Sequence, residues 1–268
     1  MTTPITYYGG KQRLADTIIS LIPPHRIYCE PFFGGGAVFF RKRKSYLEAI
    51  NDKNDLLINF YQVVQNNFDE LKCLVDNSLL SERMFLQARD FSKSTNDQLS
   101  IEKAWAIWYL TNNSYAGKMI SGGFRWCNGT AGSHSGRSLA HKRHDFTRAI
   151  ADRLAEVQIT CRDALTCIAD RDTTDTFFYL DPPYPGSDQG HYAGYTFDHF
   201  RDLLDLLTKV KGRFILSNFD SPMLREYVDA NGWTVVRKEM PLTIANRIYA
   251  KRKIELLVLN YPRPNILF

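Results

Sequence analysis

The chain has few cysteines and no close pairing among them, and this absence bears on several chemistries at once. Its five cysteines, Cys29, Cys73, Cys127, Cys161 and Cys167, are odd in number and scattered, without a C-x-x-C pair. That spacing argues against a disulfide framework and against a zinc site, so no metal is expected. No apolar run reaches membrane-spanning length, and Met1-Thr2-Thr3-Pro4 lacks a secretory pattern. A reduced, cytoplasmic setting without membrane contact is therefore expected. There is no internal repeat and no low-complexity tract. The dinucleotide fingerprint G-x-G-x-x-G is missing too, because Phe39 stands where its last glycine would fall after Gly34 and Gly36. Length leaves room for one large α/β core, or for one core with a sizeable insertion.

What is present centres on Thr176-Phe177-Phe178-Tyr179-Leu180-Asp181-Pro182-Pro183-Tyr184. A short apolar, aromatic run of this kind reads as a buried strand of a parallel sheet. Two prolines then stiffen the exit and push the residue before them into an extended conformation. Asp181 should thus stand at the carboxyl end of a strand, where open α/β sheets bind ligands. A plain rigid turn is the alternative. An exocyclic amino group on a nucleobase is a poor nucleophile, because its lone pair is delocalised into the ring. A fixed carboxylate and a carbonyl accepting its N–H bonds would localise that pair on nitrogen. Tyr184 could hold the base by stacking, an interaction of about 1–3 kcal/mol. No metal is required if the methyl acceptor meets an already activated sulfonium donor.

Asp181-Pro182-Pro183-Tyr184 resembles the catalytic signature of amino-group DNA methyltransferases, and the rest of the chain narrows the likeness to the Dam-type N6-adenine enzymes. The resemblance implies an α/β fold, a Rossmann-like S-adenosylmethionine-dependent core with a mainly helical inserted target-recognition domain. It assigns catalysis to Asp181, Pro182 and Tyr184. Tyr7-Tyr8-Gly9-Gly10-Lys11, ahead of a helical pattern from Gln12 to Leu21, matches the family's aromatic-x-Gly-Gly-Lys segment, so Tyr7 and Lys11 are implied cofactor contacts. Phe32, Gly34 and Gly36 match its F-x-G-x-G loop, which lets the backbone pass close to the cofactor. A helix is expected from about Ala37, with Arg41-Lys42-Arg43-Lys44 at its end. Asp52, at the end of a second strand, suits ribose hydroxyls. It could equally cap the next helix, a role open to Asp55 as well. Asp163 follows a third strand, and the resemblance makes it a contact to the cofactor's adenine, with Asp181 itself also near the cofactor. The basic-x-E-L-L pattern at Arg252–Leu257 resembles the family's ending.

From about residue 56 to 145 the strand–helix rhythm breaks. Helical patterns cover about 56–79, 81–91 and 101–111, and the stretch after them is rich in Gly, Ser, Asn and aromatics. Turn signals at Gly122-Gly123 and Asn128-Gly129 would allow a hairpin around Phe124-Arg125-Trp126. The block is too long for a βα crossover, so residues 1–55 and 146–268 are expected to form the catalytic core and 56–145 an inserted DNA-binding domain. Arg125, Asn128, Ser133 and Arg137 have the chemistry for base or phosphate contacts. Net charge is only +5, but Arg41–Lys44, His141-Lys142-Arg143-His144 and Lys251-Arg252-Lys253 are dense basic clusters. Each could be solvated surface; together they favour a phosphate-binding face, with Lys142 and Arg143 foremost. Gly186, Gly190 and Gly194, with Tyr192 and Tyr195, suit a loop closing over a flipped base.

The expected partner is double-stranded DNA, bound by a monomer, with any cognate restriction endonuclease acting as a separate protein. Transfer to cytosine, RNA or a protein amide would keep the same core. A binding protein with a dead site would keep the fold, but the intact Asp181–Tyr184 set argues against it.

Overall fold

A computed structural model describes residues 1–7, 9–93, 99–115, 122–126, 135–185, 194–241 and 252–263. Seven strands form one sheet in the order β3-β2-β1-β4-β5-β7-β6. They are β1 (Ile27–Glu30), β2 (Leu47–Asn51), β3 (Gln158–Thr160), β4 (Thr176–Leu180), β5 (Arg213–Asn218), β6 (Thr234–Pro241) and β7 (Arg252–Leu259). The first five run parallel, while β7 enters antiparallel between β5 and β6. The chain steps outward from β1 to β2 and β3, then returns to the other side of β1 as β4. Strand order therefore reverses between β1 and β4, and a crevice opens at their carboxyl ends.

Alternation along β4 explains why its sequence is continuously apolar. Phe177 and Tyr179 join one apolar cluster, whereas Phe178 and Leu180 join another on the opposite face. On the first face lie α1 (Ala15–Leu21), α2 (Asp55–Asn66) and α7 (Arg148–Leu154); on the second lie α8 (Ala164–Arg171), α9 (Phe197–Leu207) and α10 (Pro222–Asn231). With helices on both faces, every residue of β4 is buried.

Between β2 and α7 the chain also builds α3 (Phe68–Asp76), α4 (Glu82–Ser92), α5 (Ile101–Asn113) and α6 (Ser135–Asp145). Residues Lys103 to Asn113 of α5 are all buried, the pattern of a helix enclosed on every side. Its neighbours α2 and α4 belong to the same apolar cluster as Tyr28 of β1 and Phe177 of β4, so one contiguous core joins the helical block to the sheet. Asn112 Oδ1 accepts hydrogen bonds from the Thr6 backbone N–H at 3.2 Å and the Thr6 hydroxyl at 2.9 Å. The block thereby anchors the segment that carries Tyr7 and Lys11.

Several expectations need correcting. The helical pattern over about 56–79 breaks at Asn67 into α2 and α3. The cap of α2 is Asn54, whose side chain accepts from Leu57 N–H, rather than Asp52 or Asp55. After Gly36 the chain makes irregular turns and no helix forms there. Lys42 consequently leaves the expected basic face: it is buried against Glu48 of β2 and cannot meet a phosphate. The polar stretch 135–145 forms α6, a helix that sequence patterning did not indicate. Ser114 pairs antiparallel with Phe124, which brings Arg125 back along the end of α5.

Candidate active site

Three backbone segments converge where β1 and β4 end. The turn after β4 carries Asp181–Tyr184, the glycine loop follows Glu30, and the Tyr7–Lys11 segment crosses above them. They enclose a narrow slot of about 60 Å³, walled by Lys11, Glu30, Gly34, Asp181 and Tyr184 among others. Phe32 and Pro183 also line a second cleft of about 510 Å³, with Asp52, Asp163, Tyr195 and His199 on its walls. That volume lies within the range of small-molecule and cofactor pockets, roughly 300–1,000 Å³.

The slot holds a buried ionic network. Lys11 Nζ donates to Asp181 Oδ1 at 2.6 Å and to the Tyr184 hydroxyl oxygen at 2.7 Å, and lies 3.4 Å from Glu255 Oε1. The Tyr184 hydroxyl in turn donates to Glu255. Burial alone would lower the Lys11 pKa, but Asp181 and Glu255 more than offset it and hold the ammonium above its ordinary value. Burial, reinforced by Asp181 and Glu255, pushes the Tyr184 phenol well above its usual range, so it remains a donor. The Tyr184 ring packs against Phe219 with centroids 4.1 Å apart. Asp181 is the member that reaches the opening, with a side chain 22% exposed against 8% for Lys11 and 3% for Glu255.

The glycines have a local cause. Gly34 and Gly36 have φ of +50° and +64°, a region L side chains rarely adopt. A Cβ on Gly34 would also come within 3.0 Å of the Tyr7 ring, and one on Gly36 within 2.6 Å of Phe33. The loop is thus shaped first by its packing against Tyr7 and Phe33. Asp52 braces it: Oδ2 accepts from Gly34 N–H and Oδ1 from Asn54 N–H, both at 2.9 Å. Asp163 accepts from Leu165 N–H at 2.9 Å as the cap of α8, and its carboxylate edges the larger cleft.

The structure thus gathers Tyr7, Lys11, Phe32, Gly34, Gly36, Asp181, Pro182 and Tyr184 around the slot, and Asp52 and Asp163 around the adjoining cleft. Three neighbours had not been singled out as site residues. Glu30 ends β1 just as Asp52 follows β2, so an acid at a strand end was the available signal. Glu255 is a charge inside the apolar run Ile254–Leu259, a signal of a buried partner. Asn51 bonds the carbonyls of Pro31 and Arg162, each at 3.0 Å, and so ties the ends of β1, β2 and β3 together; nothing in its local sequence marks it.

Of the residues expected to meet nucleic acid, the described ones, Arg125, Arg137, Lys142 and Arg143, do not line the slot. Arg125 reaches Ser138 Oγ at 3.1 Å, and Arg137 is exposed on α6. Arg143 donates to the carbonyls of Asp76 and Ser78 at 3.1 and 3.0 Å, closing the end of α3. Lys142 instead lines a cleft of about 180 Å³ with Thr3, Thr6, Tyr7 and Gln12. Asn128, Ser133, Gly186, Gly190, Tyr192 and Lys251 lie outside the described residues. No group of three potential metal ligands occurs among the described residues, and no helix there is long and apolar enough to cross a membrane.

Comparison with known proteins adds a direct finding. Residues 7–241 match the family model of the D12 class N6 adenine-specific DNA methyltransferases. A Type II methyltransferase, M1.LlaDCHI of Lactococcus lactis subsp. cremoris, is 29% identical over 94% of this chain and 93% of its own length. The DNA adenine methylase of Salmonella typhimurium is 26% identical over 96% of this chain and 95% of its own. The Type II methyltransferase M.MjaIII of Methanocaldococcus jannaschii is 27% identical over 74% of each chain.

Proposed function

The chain belongs to the D12 class of N6 adenine-specific DNA methyltransferases, and from that premise we propose that it methylates an adenine turned out of double-stranded DNA at a specific site. S-adenosylmethionine, which family membership implies, supplies an activated methyl group when bound. The residues present fit it. Asp52 would accept from ribose hydroxyls and Asp163 from the adenine amino group, in the cleft of about 510 Å³. Tyr7, Lys11, Phe32 and the Gly34–Gly36 loop would hold the methionine end.

The observation that carries the chemistry is the Asp181 carboxylate, fixed by Lys11 yet open at the slot's mouth. Asp181 and the carbonyl of Pro182 would accept the two N–H bonds of the target amino group and localise its lone pair. Tyr184 would contact the flipped base through its ring. With the cofactor bound, the amino nitrogen's lone pair would take the methyl group, and the electrons of the C–S bond would stay with sulfur. The cationic nitrogen then loses a proton to bulk water. Taking adenine out of the stack costs a few kcal/mol, which contacts in the slot and along the backbone must offset.

The test is incubation of genomic DNA with labelled S-adenosylmethionine, followed by nucleoside analysis. Label on deoxyadenosine is the expected result. Label on deoxycytidine would move the chain to a sibling chemistry, and no transfer would favour a binding protein. Residues 56–145 we assign to recognition, with Arg125, Asn128 and Arg137 as candidate base readers. Lys142 is the better phosphate contact of the basic pair, because it makes no hydrogen bond or ion pair among the described residues while Arg143 closes α3. Methylation profiles over randomised duplexes, compared at fixed salt and then across a salt series, separate the two roles. Arg125→Ala or Arg137→Ala should relax preference at one base pair, by about 1–3 kcal/mol per good contact. Lys142→Ala should weaken all sequences alike and lower the salt dependence.

A further inference from the structure

Glu255 is more deeply buried than the catalytic carboxylate it accompanies, and it stands on a different strand. Its Oε1 accepts from the Tyr184 hydroxyl and from Ser217 Oγ at 2.9 Å, and faces Lys11 Nζ at 3.4 Å. A buried carboxylate is costly unless donors and a counter-charge surround it. Here those donors are the same two groups, Lys11 and Tyr184, that border Asp181. Among the described residues one ammonium therefore serves these two carboxylates, which leaves one negative charge in excess there. From this geometry we infer that Glu255 is a positioning residue for methyl transfer, acting through Lys11 and Tyr184. This rests on the reading that the slot methylates an amino group.

The physical reason is charge. As the amino nitrogen takes the methyl group it becomes cationic, and a preorganised negative excess on largely buried side chains stabilises that change. Asp181 alone, neutralised by Lys11, would give no excess. Glu255 restores it and keeps the ammonium from wholly claiming Asp181. It also fixes the Tyr184 hydroxyl, and with it the ring. Among the described residues the charged and titratable groups facing Lys11 are Asp181 and Tyr184 beyond β4 and Glu255 on β7, while Glu30, Tyr7 and Tyr179 line the same slot. Removing the Glu255 charge leaves burial to pull the ammonium down, so Lys11 should lose its proton at lower pH.

The test compares Glu255→Gln, nearly isosteric, with Glu255→Asp and Ser217→Ala. For Glu255→Gln we expect kcat to fall by about 10–100-fold, with KM for DNA and for S-adenosylmethionine changed less than about threefold. The alkaline limb of its pH–rate profile should move to lower pH. Glu255→Asp keeps the charge and should keep that limb; Ser217→Ala should lose less activity than Glu255→Gln. Independently of turnover, the Lys11 Cε resonance in 13C-lysine-labelled protein should titrate at lower pH in Glu255→Gln than in wild type. An unshifted Lys11 titration overturns the inference whatever the substrate proves to be. So does wild-type kcat in Glu255→Gln, or a kcat loss matched by equal losses in Glu255→Asp and in thermal stability. Wild-type protein that transfers no methyl to DNA, while Lys11 still shifts, would sink the substrate and leave the positioning role in place.

Discussion

Lys11 and Lys42 are both buried lysines held by a glutamate on a strand, and the two clusters they form serve opposite ends. Around Lys42, two cations share Glu48: Lys42 bonds it directly, and Arg153 engages both of its oxygens. Lys42 also donates to the Arg43 carbonyl and the Ser45 hydroxyl, each at 2.8 Å, and lies 4.0 Å from the centre of the Tyr28 ring. Arg153 covers the Phe39 ring at 3.7 Å. Every charge there has partners, and none of the three side chains lines the slot. Around Lys11 the ratio among the described residues is reversed, with one cation between two carboxylates, one of which opens to a cavity. The closed cluster, with its positive excess among the described residues, ties the turns between Phe39 and Ser45 to β2 and α7. The open cluster has the opposite excess among the described residues and leaves the Asp181 carboxylate at the slot's mouth.

The largest expected effect tests that division on both sides. Asp181→Ala should lower methylation by about 10²–10³-fold or more with little change in thermal melting, because its side chain reaches the slot's mouth. Glu48→Ala should do the reverse. Leaving Lys42 and Arg153 without their carboxylate should cost about 3–5 kcal/mol of stability, while kcat of the folded fraction stays near wild type. Urea unfolding and single-turnover methylation of both variants check this. If Glu48→Ala lost kcat at saturating substrates without losing stability, the two clusters would not be separable.

Tyr184 sharpens the open cluster from within. Its hydroxyl bonds Lys11 and Glu255 and its ring meets Phe219, so both parts have work to do. Tyr184→Phe keeps the ring and should lose about tenfold in kcat, the worth of one hydrogen bond to charged groups. Tyr184→Ala should lose about tenfold more, since it also removes the stacking face. Equal losses in the two variants would mean that the hydroxyl alone matters.

How legible these clusters were depends on the distance between partners in the chain. Asp181–Tyr184 and Gly34–Gly36 are contiguous signals, and their strand-end positions followed from apolar runs and prolines. Asp52 and Asp163 were visible for the same reason. The network joining Lys11 to Glu255 was not, because β7 comes from the far end of the chain and enters the sheet antiparallel. No local pattern reports such a pairing. Arg41–Lys44 read as surface because four consecutive cations usually are, yet the turns after Gly36 fold Lys42 inward to Glu48. Helix α6 was missed because, among the described side chains, Leu139 is its one buried apolar residue and no helical period stands out. The position of the helical block was legible. Its continuity with the sheet core was not, since that depends on how α2 and α5 pack.

Glu30 lies between the clusters and offers the finest test of their separation. Its carboxyl accepts from the Tyr28 hydroxyl, beneath the Lys42 ammonium, and it lines the slot with Asp181. Burial raises its pKa from 4.5 to about 8; Tyr28 and Lys42 oppose the rise and Asp181 reinforces it. Between those values the folded protein holds a proton that the unfolded chain has released. Stability from this group is therefore present below the unfolded pKa and declines as pH rises toward the folded one, by at most about 1.4 kcal/mol per pH unit. Above about pH 8 the slope should vanish. Glu30→Gln cannot ionise and should lose this slope, so its urea midpoint should fall less than that of wild type from roughly pH 5 to pH 8. Parallel curves for the two proteins would mean that Glu30 ionises normally in the fold. It would then add its charge to the open cluster, and the excess there would be two negative charges rather than one.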